Sequence, residues 1–343
     1  MNTKKTKYFV LPLVLLFMAS FVFAQSSQEL QQEYNEKLQQ LKQINADMSA
    51  PDITKEKYDQ LKQRYDELQK EIAQLKEKLN QDKAYQDRMN RAKLAYNNGN
   101  TFYKQGQYDK ALEAYDKSIS IDSSNARAYY GKGLSFYRQR KYSEAIEAFQ
   151  NAVDVDPTYY SAYSTLGSVY RSRRMYDKAI EAYQKAIDLN PDRHTYVYNL
   201  GTTYLSAKQL DNAVNAFRKA IQIKSDYEKA YNSLGVALLQ RGDTQDAINA
   251  FQNAISIDDE YDEAYWRLSS ALNQVGRHQE ALEAAQNCLE NTRRFNGAAN
   301  YEAGLACKNL GRTQQAIGYF ESAAQDRNWR KNAEYELKQL RGE

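Results

Sequence analysis

Residues 160–193 read YSAYSTLGSVYRSRRMYDKAIEAYQKAIDLNPDR, and this unit recurs along most of the chain. Its central alanine reappears at intervals of 34, 34, 34, 34, 34 and 35 residues. The alanines in this register are Ala111, Ala145, Ala179, Ala213, Ala247, Ala281 and Ala316. Self-similarity with this period is typical of stacked helical pairs, each of which buries its apolar face against its neighbours. The sequence therefore predicts an all-α fold.

Small and large residues follow the same register. A small residue stands twelve places before each alanine: Gly99, Gly133, Gly167, Gly201, Gly235, Ser269 and Gly304. A ring stands four places after the first five alanines, at Tyr115, Phe149, Tyr183, Phe217 and Phe251, and Ala285 breaks the series. Small residues let two helices cross closely, and the rings fill the space that remains. Pro157 and Pro191 are predicted to end second helices, because proline lacks the amide that a helix needs.

This pattern resembles the tetratricopeptide repeat, a 34-residue helical pair with small residues at positions 8, 20 and 27 and an aromatic residue at position 24. The resemblance implies a right-handed α-solenoid of about seven repeats over residues 92–330. The predicted repeats are 92–125, 126–159, 160–193, 194–227, 228–261, 262–295 and 297–330, with one inserted residue before the last. A final helix over 329–340 is expected to cap the array, and 331–343 forms the capping helix and tail.

Residues 1–24 are predicted to be an export signal that is cleaved before Gln25. Its parts are the basic residues Lys4, Lys5 and Lys7, the apolar run 8–18 and the small-residue motif Val22-Phe23-Ala24. The alternative is an uncleaved membrane anchor, but the apolar run is short for a membrane span. We expect an exported protein with no membrane span after cleavage, located in the periplasm, with the extracellular medium as the alternative.

Residues 25–91 are predicted to form a coiled-coil-like helical arm. Apolar residues alternate at spacings of three and four, as in a coiled coil, at Tyr58, Leu61, Tyr65, Leu68, Ile72, Leu75 and Leu79. The upstream part is weaker, since Lys37 occupies a position where the seam requires an apolar residue. Residues 49–52 read as a capping box that starts a second helix.

Three arrangements of the arm fit this pattern. The two helices form an antiparallel hairpin, or residues 28–90 pair between two chains, or a single amphipathic helix lies on the array. The sequence does not decide among them.

Charge and motif content exclude several function classes. The 343 residues include 47 Lys and Arg against 44 Asp and Glu, a net charge of +3, and loss of the three signal lysines brings it to zero. General binding to nucleic acid or anionic membranes then has no electrostatic basis. There is no nucleotide-binding glycine loop, His-Glu-x-x-His, nucleophile elbow or paired-cysteine motif, and His194 and His278 fit surface positions. We therefore expect no enzyme activity, no cofactor and no metal site.

The two cysteines, Cys288 and Cys307, fall on elements that the repeat register makes neighbours. In an exported protein they are candidates for a disulfide. The alternative is that Cys288 replaces the small core alanine of its repeat.

The resemblance also implies a ligand groove, because the first helix of each pair lines the concave side through positions 2, 5, 6, 9 and 12. These candidate residues are Lys93, Tyr96, Asn97, Asn100, Tyr103, Arg127, Tyr130, Tyr137, Arg171, Tyr198, Asn199, Lys229, Asn232, Trp266, Arg267 and Asn273. Amide groups bind a peptide backbone, and aromatic rings offer flat contact area, so an extended peptide is the expected ligand. The alternative is a solvated inner face that includes contacts between repeats.

The expected function is that of an exported interaction scaffold or adaptor for cell-envelope proteins. The order of signal, coiled-coil arm and repeat array is similar to that of the periplasmic cell-division coordinators that accompany the Tol-Pal system. The alternative is a regulatory or substrate-recruiting subunit of an envelope glycan-processing, secretion or outer-membrane assembly complex. The carboxylate clamp of chaperone-binding relatives is not matched, since only Asn100 of its pattern is present.

Overall fold

The computed structural model describes residues 11–80, 83–291 and 295–342. Within these ranges the chain is all-α, with seventeen helices and no strand, which confirms the predicted fold class. The helices are α1 (Leu11–Asp47), α2 (Lys55–Asn80), α3 (Lys83–Lys104), α4 (Tyr108–Ile121), α5 (Ala126–Arg138), α6 (Tyr142–Val155), α7 (Tyr160–Ser172), α8 (Tyr176–Leu189), α9 (His194–Ser206), α10 (Leu210–Ile223), α11 (Glu228–Arg241), α12 (Thr244–Ile257), α13 (Asp262–Gln274), α14 (His278–Asn291), α15 (Asn296–Asn309), α16 (Thr313–Ala323) and α17 (Arg330–Arg341).

The helix boundaries follow the 34-residue period. First helices of successive pairs begin at residues 126, 160, 194, 228, 262 and 296, and α17 lies where the capping helix is predicted. At the other end, α3 begins at Lys83, so one helix runs across the predicted boundary between arm and array at residue 92. The basic residues of the predicted signal, Lys4, Lys5 and Lys7, lie outside the described residues.

The described chain divides into two compact units, Met1–Ala162 and Tyr163–Glu343. In the first unit the arm forms the antiparallel hairpin, because α2 returns along α1 after a turn. Leu41 of α1 and Leu68 of α2 are buried on the seam between them. The Nζ atom of Lys37 lies 2.7 Å from Oε2 of Glu71, so the polar residue in the seam pairs with a carboxylate on the facing helix.

The predicted capping box at 49–52 is wrong. The hydroxyl of Ser49 donates to the carbonyl oxygen of Asn45 at 2.9 Å, which ties it to the end of α1. The cap of α2 is Thr54, whose Oγ1 accepts a hydrogen bond from the Lys57 amide at 3.3 Å. Helix α2 therefore starts after residues 49–52, where the first free amides meet a threonine hydroxyl.

The close helix crossing within each repeat has the geometry expected from the small and aromatic series. A Cβ atom added to Gly235 would lie 2.5 Å from Cε1 of Phe251, and one added to Gly201 would lie 2.7 Å from Cε1 of Phe217. In the sixth repeat Ala285 replaces the ring, and the facing residue is Ser269, whose hydroxyl donates to the Ala281 carbonyl at 2.7 Å. The missing ring thus leaves room for a hydroxyl and its hydrogen bond.

The turn inside each repeat passes through the left-handed region at position 15. Glycine occupies this position in four repeats: Gly106, Gly242, Gly276 and Gly311. Three repeats place a long cationic residue there, with φ of 62° at Arg140 and 59° at both Arg174 and Lys208. For residues with a side chain this conformation costs about 1–2 kcal/mol each.

The second unit buries a carboxyl group between its last repeats. Glu302 is 5% exposed, and its Oε2 accepts a hydrogen bond from Nδ2 of Asn273 at 2.9 Å. Burial raises the pKa of the Glu302 carboxyl, and the hydrogen bonds from Asn273 and Ser270 oppose that shift. The ionised carboxylate is therefore less favourable in the folded protein than in the unfolded chain.

Replacement of Gly235 by alanine is expected to lower the free energy of unfolding by about 1–3 kcal/mol, because the new methyl group overlaps the buried Phe251 ring. Gly318 in α16 is the matched control, since nothing lies within 4 Å of an added Cβ there. Gly318→Ala should raise stability by about 0.5–1 kcal/mol through helix propensity. Urea denaturation measures both variants, and equal effects would contradict the packing argument.

The raised pKa of Glu302 predicts a pH dependence of stability. Its contribution is most favourable below the unfolded-state pKa of a glutamate and is lost as pH rises through the folded-state pKa. Glu302→Gln should be more stable than the parent chain at pH 7. Its free energy of unfolding should also change less with pH between the unfolded-state and folded-state pKa values of Glu302. Glu280→Gln is the control with the opposite sign, because Arg277 lowers the pKa of that exposed carboxyl. Denaturation series between pH 4 and pH 8 would show whether the parent chain has this slope.

Candidate peptide-binding surface

In the first unit, several predicted groove aromatics fill space between helices. The Tyr130 ring centroid lies 5.5 Å from that of Phe149 and 5.2 Å from that of Tyr159. The Tyr96 ring lies 6.0 Å from that of Tyr115, which is buried behind it. Such distances are those of packed aromatic pairs, so these rings support the repeat as well as lining its surface.

Two further candidates in the first unit take part in hydrogen bonds within the protein. The Oδ1 atom of Asn100 accepts from the Tyr115 hydroxyl at 2.7 Å. The Tyr103 hydroxyl accepts from Nε of Arg138 at 3.0 Å, which links the first helices of two repeats. Asn100 and Tyr103, which were predicted to bind a ligand, therefore already form hydrogen bonds within the protein.

The remaining candidates of the first unit are exposed: Lys93, Asn97, Arg127 and Tyr137. Lys93 and Asn97 lie four residues apart on α3, so they share one face of that helix. Tyr137 lies on α5 with its ring 5.7 Å from that of Tyr142. These four side chains, which we call the first-unit face, present a cation, an amide, a second cation and a ring to solvent.

The second unit repeats the aromatic arrangement around Tyr198. Its ring lies 5.7 Å from Phe217 and 5.1 Å from Tyr227, and its hydroxyl is 3.3 Å from Oγ of Ser233. Burial raises the pKa of Tyr227 to about 12, so this hydroxyl stays protonated at neutral pH. His194 packs edge-on against Tyr227 with centroids 4.9 Å apart, and burial lowers its pKa.

Asparagine takes the place of the ring in the fifth repeat. Asn232 is 4% exposed, and its Nδ2 donates to the Tyr261 hydroxyl at 3.3 Å. Asn273, another candidate, donates to the main-chain oxygen of Glu302 at 3.0 Å as well as to its carboxylate. Its Oδ1 lies 3.2 Å from Nδ1 of His278. Both amides are thus engaged within the protein.

Trp266 has the most distinctive surroundings in the second unit. Its ring lies 6.0 Å from Phe295, and the Arg267 guanidinium stacks 4.7 Å from its centroid. Arg267 also pairs with Glu263 at 2.9 Å, which fixes the guanidinium over the ring. The indole Nε1 is buried and has no acceptor among the residues that the structure describes.

The other candidates of the second unit are Arg171, Asn199 and Lys229. Lys229 is exposed, whereas Arg171 and Asn199 are half-buried. The structure thus places the predicted residues on first helices in both units, but it divides them into rings and amides that hold the repeats together and a smaller exposed set.

Sequence analysis missed the partners of the position-5 rings. In four repeats a ring at position 5 packs against an aromatic residue at the end of the same repeat: Tyr130 with Tyr159, Tyr198 with Tyr227, Trp266 with Phe295, and Tyr301 with Trp329. The signal was present in the sequence, since three of these partners are at position 34 of their repeats. It explains part of the unusual content of 29 tyrosines.

The predicted disulfide does not form in the structure. Cys288 and Cys307 are both free and fully buried. The Cys288 thiol donates to the Asp262 carbonyl at 3.3 Å, while the Cys307 thiol points to Oε1 of Gln315 at 3.9 Å. Burial raises the pKa of the Cys288 thiol to about 12, so Cys288 behaves as the small core residue of its repeat.

The described residues contain neither a metal-binding cluster nor a membrane-spanning helix. Among them, no group of three or more His, Cys, Asp or Glu side chains has the arrangement of a metal site. None of the helices in the described ranges has both the length and the apolar character needed to cross a bilayer.

Comparison with solved structures gives several similar proteins. MamA is 31% identical over 47% of this chain and 94% of its own, with a TM-score of 0.45. YrrB, described as a TPR protein with an unusual peptide-binding site, is 20% identical over 58% of this chain and 99% of its own, with a TM-score of 0.47. The C-terminal part of a TPR repeat-containing protein from Cytophaga hutchinsonii is 16% identical over 71% of this chain and 99% of its own, and its TM-score of 0.59 shows the shared fold.

Family models give the same result from the sequence. A model described as TPR repeat matches residues 99–140 and 202–242, and one described as Tetratricopeptide repeat matches 126–159 and 160–193. A model of another helical repeat, the TT21 fifth ARM repeats domain, matches 228–340. No protein with curated annotation matches the chain. The matched repeats and the helical pairs that they form show that the chain belongs to the tetratricopeptide-repeat proteins.

Proposed function

We propose that this chain is an exported, non-catalytic scaffold that binds extended peptide segments of cell-envelope proteins. The tetratricopeptide repeat is a protein-interaction fold, and its members are generally scaffolds rather than enzymes. The observation that carries the proposal is the first-unit face, where Lys93, Asn97, Arg127 and Tyr137 are exposed on two first helices.

The spacing of these helices suits an extended chain. Helices α3 and α5 contact each other directly, and packed helices lie about 8–10 Å apart. An extended peptide advances about 3.3 Å per residue, so side chains on α3 and α5 meet it about three residues apart. Asn97 is suited to hydrogen bonding with the peptide backbone, while Lys93 and Arg127 favour acidic side chains at that spacing.

The structure also identifies which substitutions test the face without damaging the fold. Tyr130, Tyr198 and Trp266 are unsuitable, because each packs against a neighbouring ring of its own repeat. Lys93 and Asn97 are exposed and four residues apart, so their truncation leaves the core unchanged.

Lys93→Ala/Asn97→Ala is expected to weaken peptide binding by about tenfold, as loss of one charged and one neutral hydrogen bond would. The measurement is calorimetric titration of the full-length chain with peptides selected from a random library. Lys117→Ala/Gln150→Ala is the matched control, because it removes one exposed cation and one exposed amide from second helices. Equal affinities for all three proteins would exclude the first-unit face as the binding surface.

Export is the second part of the proposal, and it rests on the pattern of residues 1–24. In a bacterial host the chain should be recovered from the periplasmic fraction with Gln25 as its first residue. N-terminal sequencing of the fractionated protein measures this. A chain that keeps residues 1–24 and stays in the cytoplasm would contradict the export proposal and leave the peptide-binding proposal intact.

A further inference from the structure

Polar side chains at position 12 of a first helix reach the first helix of the next element. In the sixth repeat, Nδ2 of Asn273 donates to Oε2 of Glu302, 29 residues further on, at 2.9 Å. In the seventh repeat, Nζ of Lys308 lies 2.6 Å from Oε2 of Glu336, 28 residues further on in α17. The difference of one residue is the insertion before the last repeat. In both contacts a donor at position 12 meets a carboxylate of the chain itself.

The third repeat has an arginine at position 12, but no carboxylate follows it at this spacing. Arg171 lies on α7, and the residue 28 places further on is Asn199, on α9. The repeat register thus puts a neutral amide beside Arg171, in the place where Lys308 has Glu336. Both residues belong to the second unit.

The Arg171 side chain has no acceptor within residues 11–80, 83–291 and 295–342. It is half-buried, its Nε atom is buried without a hydrogen-bond partner, and no carboxylate in those ranges forms an ion pair with it. A cation in this setting has lost part of its hydration and has gained no counter-ion in exchange. The guanidinium is therefore a charge that an anionic group of another molecule would compensate.

The side-chain amide of Asn199 is unused in the same part of the chain. Only the main-chain oxygen of Asn199 is engaged, since it accepts hydrogen bonds from the hydroxyls of Thr202 and Thr203 at 2.8 Å each. Asn199 is also half-buried. An unpaired amide beside an unpaired guanidinium offers one neutral donor and one charged set of donors to the same ligand group.

The chemistry of these donors favours a carboxylate. A guanidinium presents its N–H groups in a planar fork that matches the two oxygens of a carboxylate, and such charge-assisted hydrogen bonds are about twice as strong as neutral ones. The equivalent contacts at Asn273 and Lys308 contain a carboxylate already. The Arg171 contact has the donors of that arrangement and lacks its acceptor.

We propose that Arg171 and Asn199 bind a carboxylate of a peptide ligand. The guanidinium takes the two carboxylate oxygens, and Nδ2 of Asn199 donates a further hydrogen bond. This inference rests on the proposed function, peptide binding, and assigns a ligand group to the second unit that the first-unit face does not supply. The carboxylate belongs to an Asp or Glu side chain or to the C terminus of the peptide, and the test separates these two sources.

The first test titrates the full-length chain calorimetrically with a peptide selected from a random library with free C termini. The peptide is used unchanged, with its Asp and Glu replaced by Asn and Gln, and as its C-terminal amide. One of the two modified forms should bind about tenfold more weakly than the unchanged peptide, and it identifies the source of the carboxylate.

Arg171→Gln links that carboxylate to the site. It should weaken binding of the unchanged peptide about tenfold and leave the affinity for the weaker modified form as it is. Arg218→Gln, which removes an exposed cation from α10, should bind like the parent chain. An equal loss of affinity for all three peptides would show that Arg171 acts through the fold, and it would overturn the proposal.

Asn199→Glu tests the geometry by supplying the missing acceptor from within the chain, as Glu336 does for Lys308. The new carboxylate should pair with Arg171 and weaken binding of the unchanged peptide about tenfold, with no loss of stability in urea denaturation. Asn199→Gln is the matched control, because it has the same length and keeps the amide, and it should bind like the parent chain. Equal affinities of these two variants would overturn the proposal.

The two proposals fail in different ways. If no peptide of the library binds the full-length chain, the proposed function is wrong and the carboxylate site is wrong with it. If a peptide binds with an affinity that depends on Lys93 and Asn97 but not on Arg171, peptide binding stands and only the carboxylate site is overturned.

Discussion

In six of the seven repeats, a large ring packs against a glycine of the facing helix. Phe251 and Phe217 are fully buried, and an added Cβ on the facing Gly235 or Gly201 would lie well inside contact distance of the ring. The two helices of a repeat therefore approach as closely as their backbones allow, and that approach fixes the position of every other side chain on them.

The candidate surface follows from this constraint. Because the ring at position 24 occupies the space between the helices, the position-5 residue has to pack beside it, as Tyr130 packs beside Phe149. Tyr130 also contacts Tyr159, so most of its ring surface packs inside the repeat. Exposed positions such as Lys93 and Asn97 are free of this requirement, so they are the ones available to select a ligand.

The fold could be predicted from the sequence because the same helical pair recurs seven times. A single irregular residue therefore does not obscure the pattern. The sequence also placed the candidate residues on the first helices of their repeats, as the structure does. It did not separate packing residues from exposed ones, since Asn97 and Asn232 look alike in sequence, yet Asn232 is 4% exposed and bonded to Tyr261. The pairing of Lys37 with Glu71 was equally inaccessible, because it depends on which helix the arm folds against.

Net charge illustrates the same limit. A net charge near zero argues against general binding to nucleic acid or anionic membranes, but the sum does not record where the charges lie. Antiparallel helices bring alternate turns to opposite ends, so residues 34 apart in sequence share an edge and residues 17 apart do not. A net charge near zero therefore does not exclude a local cluster such as residues 258–260, where three acidic residues stand together in one turn.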